Sequence, residues 1–364
     1  MSEKDNKKER YIATLLGCAV GDVLGMPVEI WKKEEISQIY GRITEPVPPI
    51  YVRTKDRGII RKDSIKKNDK LKYHNNHLGY GDYTDDTILT LAIAESIADI
   101  GDLDIEEIAA NHVAVYHENM LPNGQYKGGF GKTTMLALQD LANGKSIRDT
   151  GQLQGPGAGP AMKMHPVGLY MDATGKINEG FGFAQKISKI THKDPRSIYG
   201  GVLQAYSIYL LLSGNISKDD FLHSLSAQGY LEGRADDRHT LPEKGSLWSR
   251  IEWIVNNKDA TAEDAFNNLG NSGLAWECHP FALFMFQKYW DDQIAGLIET
   301  VNWGGDCDTT GAIYGALCGA RNGMIFPDRW VDPIKGKDKI IDLGSRLYDS
   351  LHEPKGLQLK GGKK

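Results

Sequence analysis

The chain has 364 residues, enough for a large buried core, and 40% of them are hydrophobic. Its formal net charge is −5, so no basic excess points to nucleic acid as a general partner. The charged N-terminus lacks the apolar core of a signal peptide, and no uninterrupted apolar run reaches the ~18 residues of a membrane span. The four cysteines show no C-x-x-C spacing. We therefore predict a cytoplasmic protein with reduced thiols and no membrane contact.

The first predicted element is a buried helix at residues 9–21, E-R-Y-I-A-T-L-L-G-C-A-V-G, where small and large apolar residues alternate at helical spacing. Gly21 and Asp22 interrupt this pattern, and the chain continues through V-L-G-M-P-V-E to Glu29. From its surroundings alone, Glu29 is an ordinary loop glutamate after Pro27.

Residues 40–80 form an insert that is basic, bears prolines and has few helix signals. D-R-G, between Y-V-R and I-I-R, predicts a hairpin turn, and a two-stranded ribbon must pack on the body to be stable. We interpret the insert as a flap beside the functional site. Its positive charge would suit phosphates, or the segment is simply a solvated loop.

The segment G-D-Y-T-D-D-T, residues 81–87, precedes an apolar helical run. Thr84, Asp85, Asp86 and Thr87 open this helix, where unpaired N–H groups and the positive end of the helix dipole favour side-chain oxygens. One N-cap needs only one such residue, whereas this motif supplies four.

The middle of the chain predicts helices at 87–99 and 104–118 and two glycine-rich loops. G-G-F-G-K-T-T, at 128–134, superficially resembles a phosphate loop, but it lacks the full pattern and a preceding strand, so we predict a loop followed by a helix. The loop at 151–169 would be a connector on composition alone. His192 precedes a helix in T-H-K-D-P, and residues 217–300 predict helices with aromatic core stripes.

The segment V-N-W-G-G-D-C-D-T-T-G, from residue 301, places Asp306, Asp308 and Thr309 at another helix start. Glycines then recur every four residues, at 311, 315 and 319, which leaves one helix face nearly bare. Since glycine costs roughly 1 kcal/mol against alanine in a helix interior, this face predicts close packing against another helix. A last helix follows, and the tail at 353–364 is predicted to be disordered.

Each acidic helix start alone is explained by N-capping. Together they place adjacent carboxylates whose repulsion a cation would relieve. Hard oxygen ligands suit Mg²⁺, Mn²⁺ or Ca²⁺ and not zinc, so the pair predicts a two-metal site if the fold brings both starts together. The predicted metal ligands are Thr84, Asp85, Asp86, Asp306, Asp308 and Thr309.

The G-G-D-C-D-T-T-G-A-I-Y-G-A-L-C-G-A stretch, paired with the upstream T-D-D-T, resembles the ADP-ribosylglycohydrolase family. This family includes dinitrogenase-reductase-activating glycohydrolase and eukaryotic ADP-ribosyl-acceptor hydrolases. The resemblance covers most of residues 9–324 in several ordered motifs. Because predicted helices follow one another with few convincing strands, we expect an all-α fold. We predict one domain over 1–364, a large orthogonal helical bundle with a small irregular or hairpin insert.

The resemblance also implies roles for residues outside the acidic motifs. Glu29 matches a glutamate that serves in acid–base catalysis in some branches, and Asp22 is expected to support the site from behind the ligands. His192 matches a histidine presented to the ligand. Lys163 stands at the usual arginine and Ala158 at the usual asparagine of a loop whose backbone contacts the diphosphate of ADP-ribose. The implied substrate-binding residues are Gly129, Gly155, Gly157, Ala158, Gly159 and His192.

The implied activity is hydrolysis of the C1″ glycosidic bond of an ADP-ribosylated protein side chain or other acceptor, with release of ADP-ribose. Two Mg²⁺ ions, or Mn²⁺, would orient the ribose hydroxyls and activate water. Glu29 is the candidate general acid, and an aspartate of the metal site, Asp85, is the candidate base. Two alternatives are a two-metal phosphohydrolase acting on ADP-ribose-like nucleotides and a non-catalytic ADP-ribose binder.

Overall fold

The computed structural model describes residues 3–55, 57–66, 77–121, 126–153, 155–214, 216–233 and 246–352. Within these ranges the chain forms sixteen α-helices and one two-stranded hairpin, so the all-α prediction is confirmed. The predicted disorder of the tail at 353–364 concerns residues outside the described ranges.

In chain order the elements are α1 (Glu3–Gly25), α2 (Lys33–Tyr40), β1 (Tyr51–Thr54), β2 (Gly58–Arg61), α3 (Asp85–Ile100), α4 (Ile105–Glu118), α5 (Lys132–Ala142), α6 (His165–Thr174), α7 (Ile177–Thr191), α8 (Pro195–Leu212), α9 (Lys218–Gly233), α10 (Leu247–Asn256), α11 (Ala262–Leu269), α12 (Cys278–Lys288), α13 (Gln293–Val301), α14 (Cys307–Asn322), α15 (Asp328–Val331) and α16 (Lys337–His352).

Helices α1 and α14 pack against each other through facing stripes of glycine. A Cβ atom built on Gly21 would lie 1.8 Å from the carbonyl oxygen of Gly311, and one on Gly315 would lie 2.0 Å from that of Gly17. No side chain fits between backbones this close. The predicted close packing of the α14 stripe is confirmed, and its partner is an equally spaced stripe on α1.

Asp22 of α1 connects this helix pair to the start of α3. Its buried carboxylate accepts hydrogen bonds from the backbone N–H of Thr84 at 3.0 Å and from the N–H and hydroxyl of Thr87 at 3.2 and 2.6 Å. Because α1 is in backbone contact with α14, these bonds bring the start of α3 to the start of α14. The support expected from Asp22 is therefore visible as helix capping.

The insert forms the predicted hairpin, in which β1 and β2 pair antiparallel and Thr54 lies opposite Gly58. Tyr51 packs edge-on against Trp31 and Tyr40, with ring centroids 6.4 and 5.8 Å apart. Arg53 also pairs with Glu35 of α2. The described part of the insert is thus fixed to α2 and adds no residue to the wall of the cavity described below.

One helical segment, Asn6–Val28, is long and apolar enough by composition to cross a membrane. Polar residues such as Asp22 divide this segment, so it does not stand out in the sequence as an uninterrupted apolar run. In the fold, 94% of its most apolar window is buried inside the protein. This burial is typical of the core helix of a globular protein.

We predict that Gly21→Ala destabilises the protein by about 3 kcal/mol or more, because the added methyl group meets backbone and not a movable side chain. Thermal or urea unfolding monitored by circular dichroism measures this loss. Gly182→Ala in α7 is the matched control, since a Cβ there meets nothing within 4 Å. It should be neutral or stabilise by about 0.5–1 kcal/mol. Equal stability of both variants would contradict the packing described above.

Candidate active site

A cavity of about 600 Å³ lies where the starts of α3 and α14 meet. Five acidic side chains line it: Glu29, Asp85, Asp86, Asp306 and Asp308. They come from three separate parts of the chain, so the fold brings the two acidic motifs of the sequence to one wall. The hydroxyl-bearing Thr309 lines the same wall.

Glu29, Asp306 and Asp308 form the tightest group. Each offers one carboxylate oxygen, and these oxygens all lie within 4.8 Å of one another. Asp308 is almost fully buried, whereas Glu29 is half-buried at the edge of the cavity. Oxygens at this separation can share one divalent cation, and a Glu29 carboxyl left out of that ligand set can instead hold a proton beside the cation.

Asp86 faces this group from the start of α3. Its Oδ2 atom accepts a hydrogen bond from the Thr84 hydroxyl at 2.9 Å, while its Oδ1 atom is buried without a hydrogen-bond partner in the described part of the chain. Buried oxygens are normally paired, so an unpaired one requires a further partner. A hard divalent cation fits this oxygen and the neighbouring carboxylates.

The raised pKa values of the carboxyl groups also indicate a cation site. Burial, then the charge of Asp22, raises the pKa of Asp85 to about 7, and burial raises the pKa of Asp22 itself to about 6. Burial and neighbouring carboxylates hold the pKa values of Asp86 and Asp308 well above their ordinary range. A bound cation would remove this repulsion and keep the carboxylates ionised.

The backbone holds Glu29 and Asp306 in fixed relation. The N–H of Ile30 donates to the Gly305 carbonyl at 2.6 Å, and the N–H of Gly305 donates to the Trp31 carbonyl at 2.8 Å. Ile30 has a φ of 65°, in the left-handed region that β-branched residues rarely adopt. Such strain persists only where surrounding contacts enforce it, and here it directly follows Glu29.

Glycine-rich segments form the rest of the wall and adjoin the acids, since the N–H of Asp85 donates to the Gly128 carbonyl at 2.6 Å. Gly129 and Gly131 line the cavity at the start of α5, with Lys132 as its first helical residue. Helix starts favour anions, because their N–H groups are unpaired and the helix dipole is positive there. The sequence prediction of a loop followed by a helix is confirmed.

The second glycine-rich loop packs on His192. A Cβ atom on Gly159 would lie 2.5 Å from the His192 ring, and one on Gly157 would lie 3.1 Å from its Nε2 atom. The N–H of Ala158 donates to the Gly273 carbonyl at 3.0 Å. That amide therefore holds the loop to residues 271–275, and a side-chain contact from position 158 is absent because the residue is alanine.

His192 is 2% exposed, and burial lowers its pKa to about 3. Its Nδ1 atom lies 2.9 Å from the Thr191 hydroxyl, which also accepts a hydrogen bond from Lys163 Nζ at 3.3 Å. Burial lowers the pKa of Lys163 to about 7, while the charge of Asp85 opposes this shift. His192 is thus a neutral ring on the cavity wall, with the lysine behind it.

The cavity wall holds eleven of the thirteen site residues predicted from the sequence. Thr84 is instead fully buried as the N-cap of α3, and Gly155 lies against the Thr133 side chain and accepts a hydrogen bond from Ser197 at 3.1 Å. Their assigned roles stay predictions. The predicted residues on the wall are Glu29, Asp85, Asp86, Gly129, Gly157, Ala158, Gly159, His192, Asp306, Asp308 and Thr309.

Sequence reasoning missed the loop at Asn271, Ser272 and Gly273, which closes one side of the cavity. The Asn271 carbonyl accepts the N–H of Asp306 at 2.8 Å and so helps to set the start of α14. The loop carries no ionisable group. Its one signal is the cluster of turn-forming residues in N-L-G-N-S-G, at 268–273.

Comparison with known proteins gives one family. The family model described as ADP-ribosylglycohydrolase matches residues 3–356. The chain is 26% identical over 294 residues to ADP-ribosylhydrolase ARH3 of Homo sapiens, covering 73% of this chain and 78% of that protein. It is 27% identical over 345 residues to an uncharacterised protein of Archaeoglobus fulgidus, covering 94% and 97%.

A solved structure titled "ADP-ribosylglycohydrolase-related protein complex" has the same fold. Its TM-score is 0.65 at 22% sequence identity, and the match covers 95% of this chain and 99% of that chain. The resemblance seen in the sequence is thereby confirmed at the level of family and fold.

We predict that stabilisation by Mg²⁺ increases as pH rises from about 5 to 7 and then levels off. The folded pKa of Asp85, about 7, lies above its ordinary value, so the cation-free folded state holds a proton that the unfolded chain releases, and it loses stability as pH rises through that window. Mg²⁺ binds the deprotonated carboxylates and restores that stability. Buried His192, whose folded pKa is about 3, is neutral in this range with or without Mg²⁺, so its contribution cancels in the difference between the two conditions.

Thermal unfolding with Mg²⁺ and with EDTA at each pH measures the difference. Asp85→Asn cannot titrate and should flatten the pH dependence, whereas Asp328→Asn, on the short helix α15, should not. A gain from Mg²⁺ that shrinks with rising pH would count against this assignment.

Proposed function

Since the chain belongs to the ADP-ribosylglycohydrolase family, we propose that it hydrolyses the C1″ glycosidic bond of an ADP-ribosylated acceptor and releases ADP-ribose. The observation that carries the proposal is the cavity itself. One part of its wall concentrates carboxylates, including an unpaired buried oxygen of Asp86, and the rest presents glycine-rich backbone and a helix start. The name of the human relative, an ADP-ribosylhydrolase, supports the same reaction.

We propose that two Mg²⁺ ions, replaceable by Mn²⁺, occupy the acidic wall. Asp306, Asp308 and Thr309 of α14 would hold them with Asp85 and Asp86 of α3, and the Thr84 hydroxyl would have to leave Asp86 to become a ligand. Bound cations supply neutralisation of the carboxylates, orientation of the ribose hydroxyls and a lowered pKa for water. The proton transfers of the reaction are carried out by side chains of the protein.

Glu29 is the proposed general acid. It stands at the edge of the cavity, and its position relative to Asp306 is fixed by the backbone bonds of Ile30 and Gly305. A carboxyl group there can protonate the departing acceptor atom. Asp85, whose pKa is about 7, is the proposed base toward water, since it can take up a proton near neutral pH.

The glycine-rich wall is the proposed seat of the ADP moiety. The N-terminus of α5 and the adjacent Lys132 favour the diphosphate by charge. Gly157 and Gly159 allow the backbone to lie against the His192 ring, which as a neutral imidazole can donate or accept one hydrogen bond. The Ala158 amide is already bonded to Gly273, so it holds the loop in place.

The acidic wall also suits a phosphohydrolase, because a pair of cations can assist displacement at phosphorus. That alternative predicts AMP as the product from ADP-ribose-like nucleotides. A non-catalytic binder would need no acidic wall of this extent. We favour the glycosidase because Glu29 places a proton donor beside the cation ligands, and because the family consists of glycosyl hydrolases.

The test is product release from a panel of ADP-ribosylated acceptors, followed by mass spectrometry, with Mg²⁺ and with EDTA. We expect intact ADP-ribose from at least one acceptor with Mg²⁺ and none with EDTA. AMP as the product would support the phosphohydrolase. No release from any acceptor would contradict the proposal.

Two variants separate the roles in this assay. Asp308→Asn should weaken Mg²⁺ binding and lower turnover together, by at least about a hundredfold, because a cation ligand is lost. Glu29→Gln should lower kcat by about 10²- to 10⁴-fold through loss of the proton donor while an aspartate-held ion still binds. An unchanged kcat in Glu29→Gln would remove Glu29 from acid catalysis.

A further inference from the structure

A second cavity, of about 620 Å³, lies next to the catalytic one between the start of α2, helix α11 and Trp303. We call it the α2–α11 groove. The two cavities share Ile30 and Gly305, the residues whose backbone bond fixes Glu29 beside Asp306. The groove therefore continues from the Glu29 end of the catalytic cavity, and no residue of the glycine-rich wall lines it.

The aromatic surface of the groove is Trp303. Its ring stacks on Phe266 with centroids 5.4 Å apart, and the ammonium of Lys33 lies 3.3 Å from the ring centroid. Trp303 is 7% exposed, and its indole N–H is buried without a hydrogen-bond partner in the described ranges. Buried indole N–H groups usually find a partner. One flexible lysine side chain is thus what covers a tryptophan face next to the active site.

The position of the groove relates it to the leaving group. In the proposed reaction Glu29 protonates the acceptor atom that departs, so the acceptor must extend from Glu29 away from the ADP moiety. Ile30, the next residue along the chain, already belongs to the groove. The part of the substrate that reaches this groove is consequently the acceptor.

The charged residues of the groove favour a protein acceptor over a nucleic-acid acceptor. Lys32 and Lys33 are balanced by Glu34 and Glu263, all four of which line it. A nucleic-acid acceptor would bring phosphates against the two glutamates, and nucleic-acid sites are normally dominated by basic residues. An aromatic surface with mixed charges at its edge is typical of peptide and protein interfaces.

We propose that the α2–α11 groove binds the polypeptide that flanks the ADP-ribosylated side chain of a protein acceptor. This rests on the proposed function and adds the class of acceptor to it. Movement of Lys33 off the ring exposes the tryptophan face for a side chain of the peptide.

The experiment compares two substrates with the same linkage: an ADP-ribosylated short peptide and the single ADP-ribosylated amino acid, blocked at both ends. Asn267→Trp places a bulky side chain at an exposed position of the groove, far in sequence from the proposed cation ligands. We expect it to raise KM for the peptide about tenfold with kcat unchanged, and to leave both constants for the single amino acid unchanged.

Trp303→Phe keeps a ring but reduces the aromatic face, and it should raise KM for the peptide about fivefold. Trp248→Phe in α10 is the matched control, because Trp248 is 8% exposed and lies outside both cavities. Trp248→Phe should leave KM and kcat unchanged for both substrates. Calorimetric titration with Mg²⁺ checks that each variant keeps its cation site.

Equal effects on both substrates, or no effect of Asn267→Trp on the peptide, would overturn the groove assignment while the proposed function stands. The linkage is the one that the acceptor panel identifies; if the wild-type protein releases ADP-ribose from no acceptor of that panel, the proposed function is wrong and the groove assignment falls with it.

Discussion

The backbone contact between α1 and α14 is the constraint on which the site depends. Glycines at 17, 21, 311 and 315 let two helices approach until their carbonyl oxygens occupy the space of absent methyl groups. Asp22, on the same helix α1, accepts hydrogen bonds from the N–H groups that start α3. The contact therefore brings together two acidic segments that are more than two hundred residues apart in sequence.

This arrangement concentrates negative charge inside the protein. The pKa values of Asp85, Asp86, Asp306 and Asp308 are all raised, chiefly by burial, and those of Asp86 and Asp308 also by other carboxylates of the set. Buried carboxylates in such surroundings favour the binding of cations, because a bound cation offsets the unfavourable free energy of keeping the carboxylates ionised. The neutral His192 and the glycine-rich segments add no negative charge to the rest of the cavity wall. In the proposed function the carboxylates bind the cations and the glycine-rich segments bind the anionic ADP moiety.

The sequence predicted the parts of this structure that have local signals. The all-α class, the hairpin and the two Asp/Thr helix starts follow from periodicity, turn residues and capping chemistry. The glycine stripe of α14 predicted a close neighbour but not which helix, because pairing of helices is a tertiary property. The position of Thr84 could not be predicted either, since capping and cation ligation use the same hydroxyl. The loop at Asn271 has no ionisable residue and joins the site only through backbone bonds. The single domain and the cytoplasmic location stay predictions.

The central claim is that the α1–α14 contact assembles a site for two divalent cations from the starts of α3 and α14. The most direct test is the number of Mn²⁺ ions bound per chain, counted by electron paramagnetic resonance of free Mn²⁺ during a titration. We expect two ions in the native protein and fewer in Asp86→Asn, because the replaced aspartate carries the unpaired buried oxygen. No bound Mn²⁺, or a single ion that Asp86→Asn does not affect, would contradict the account.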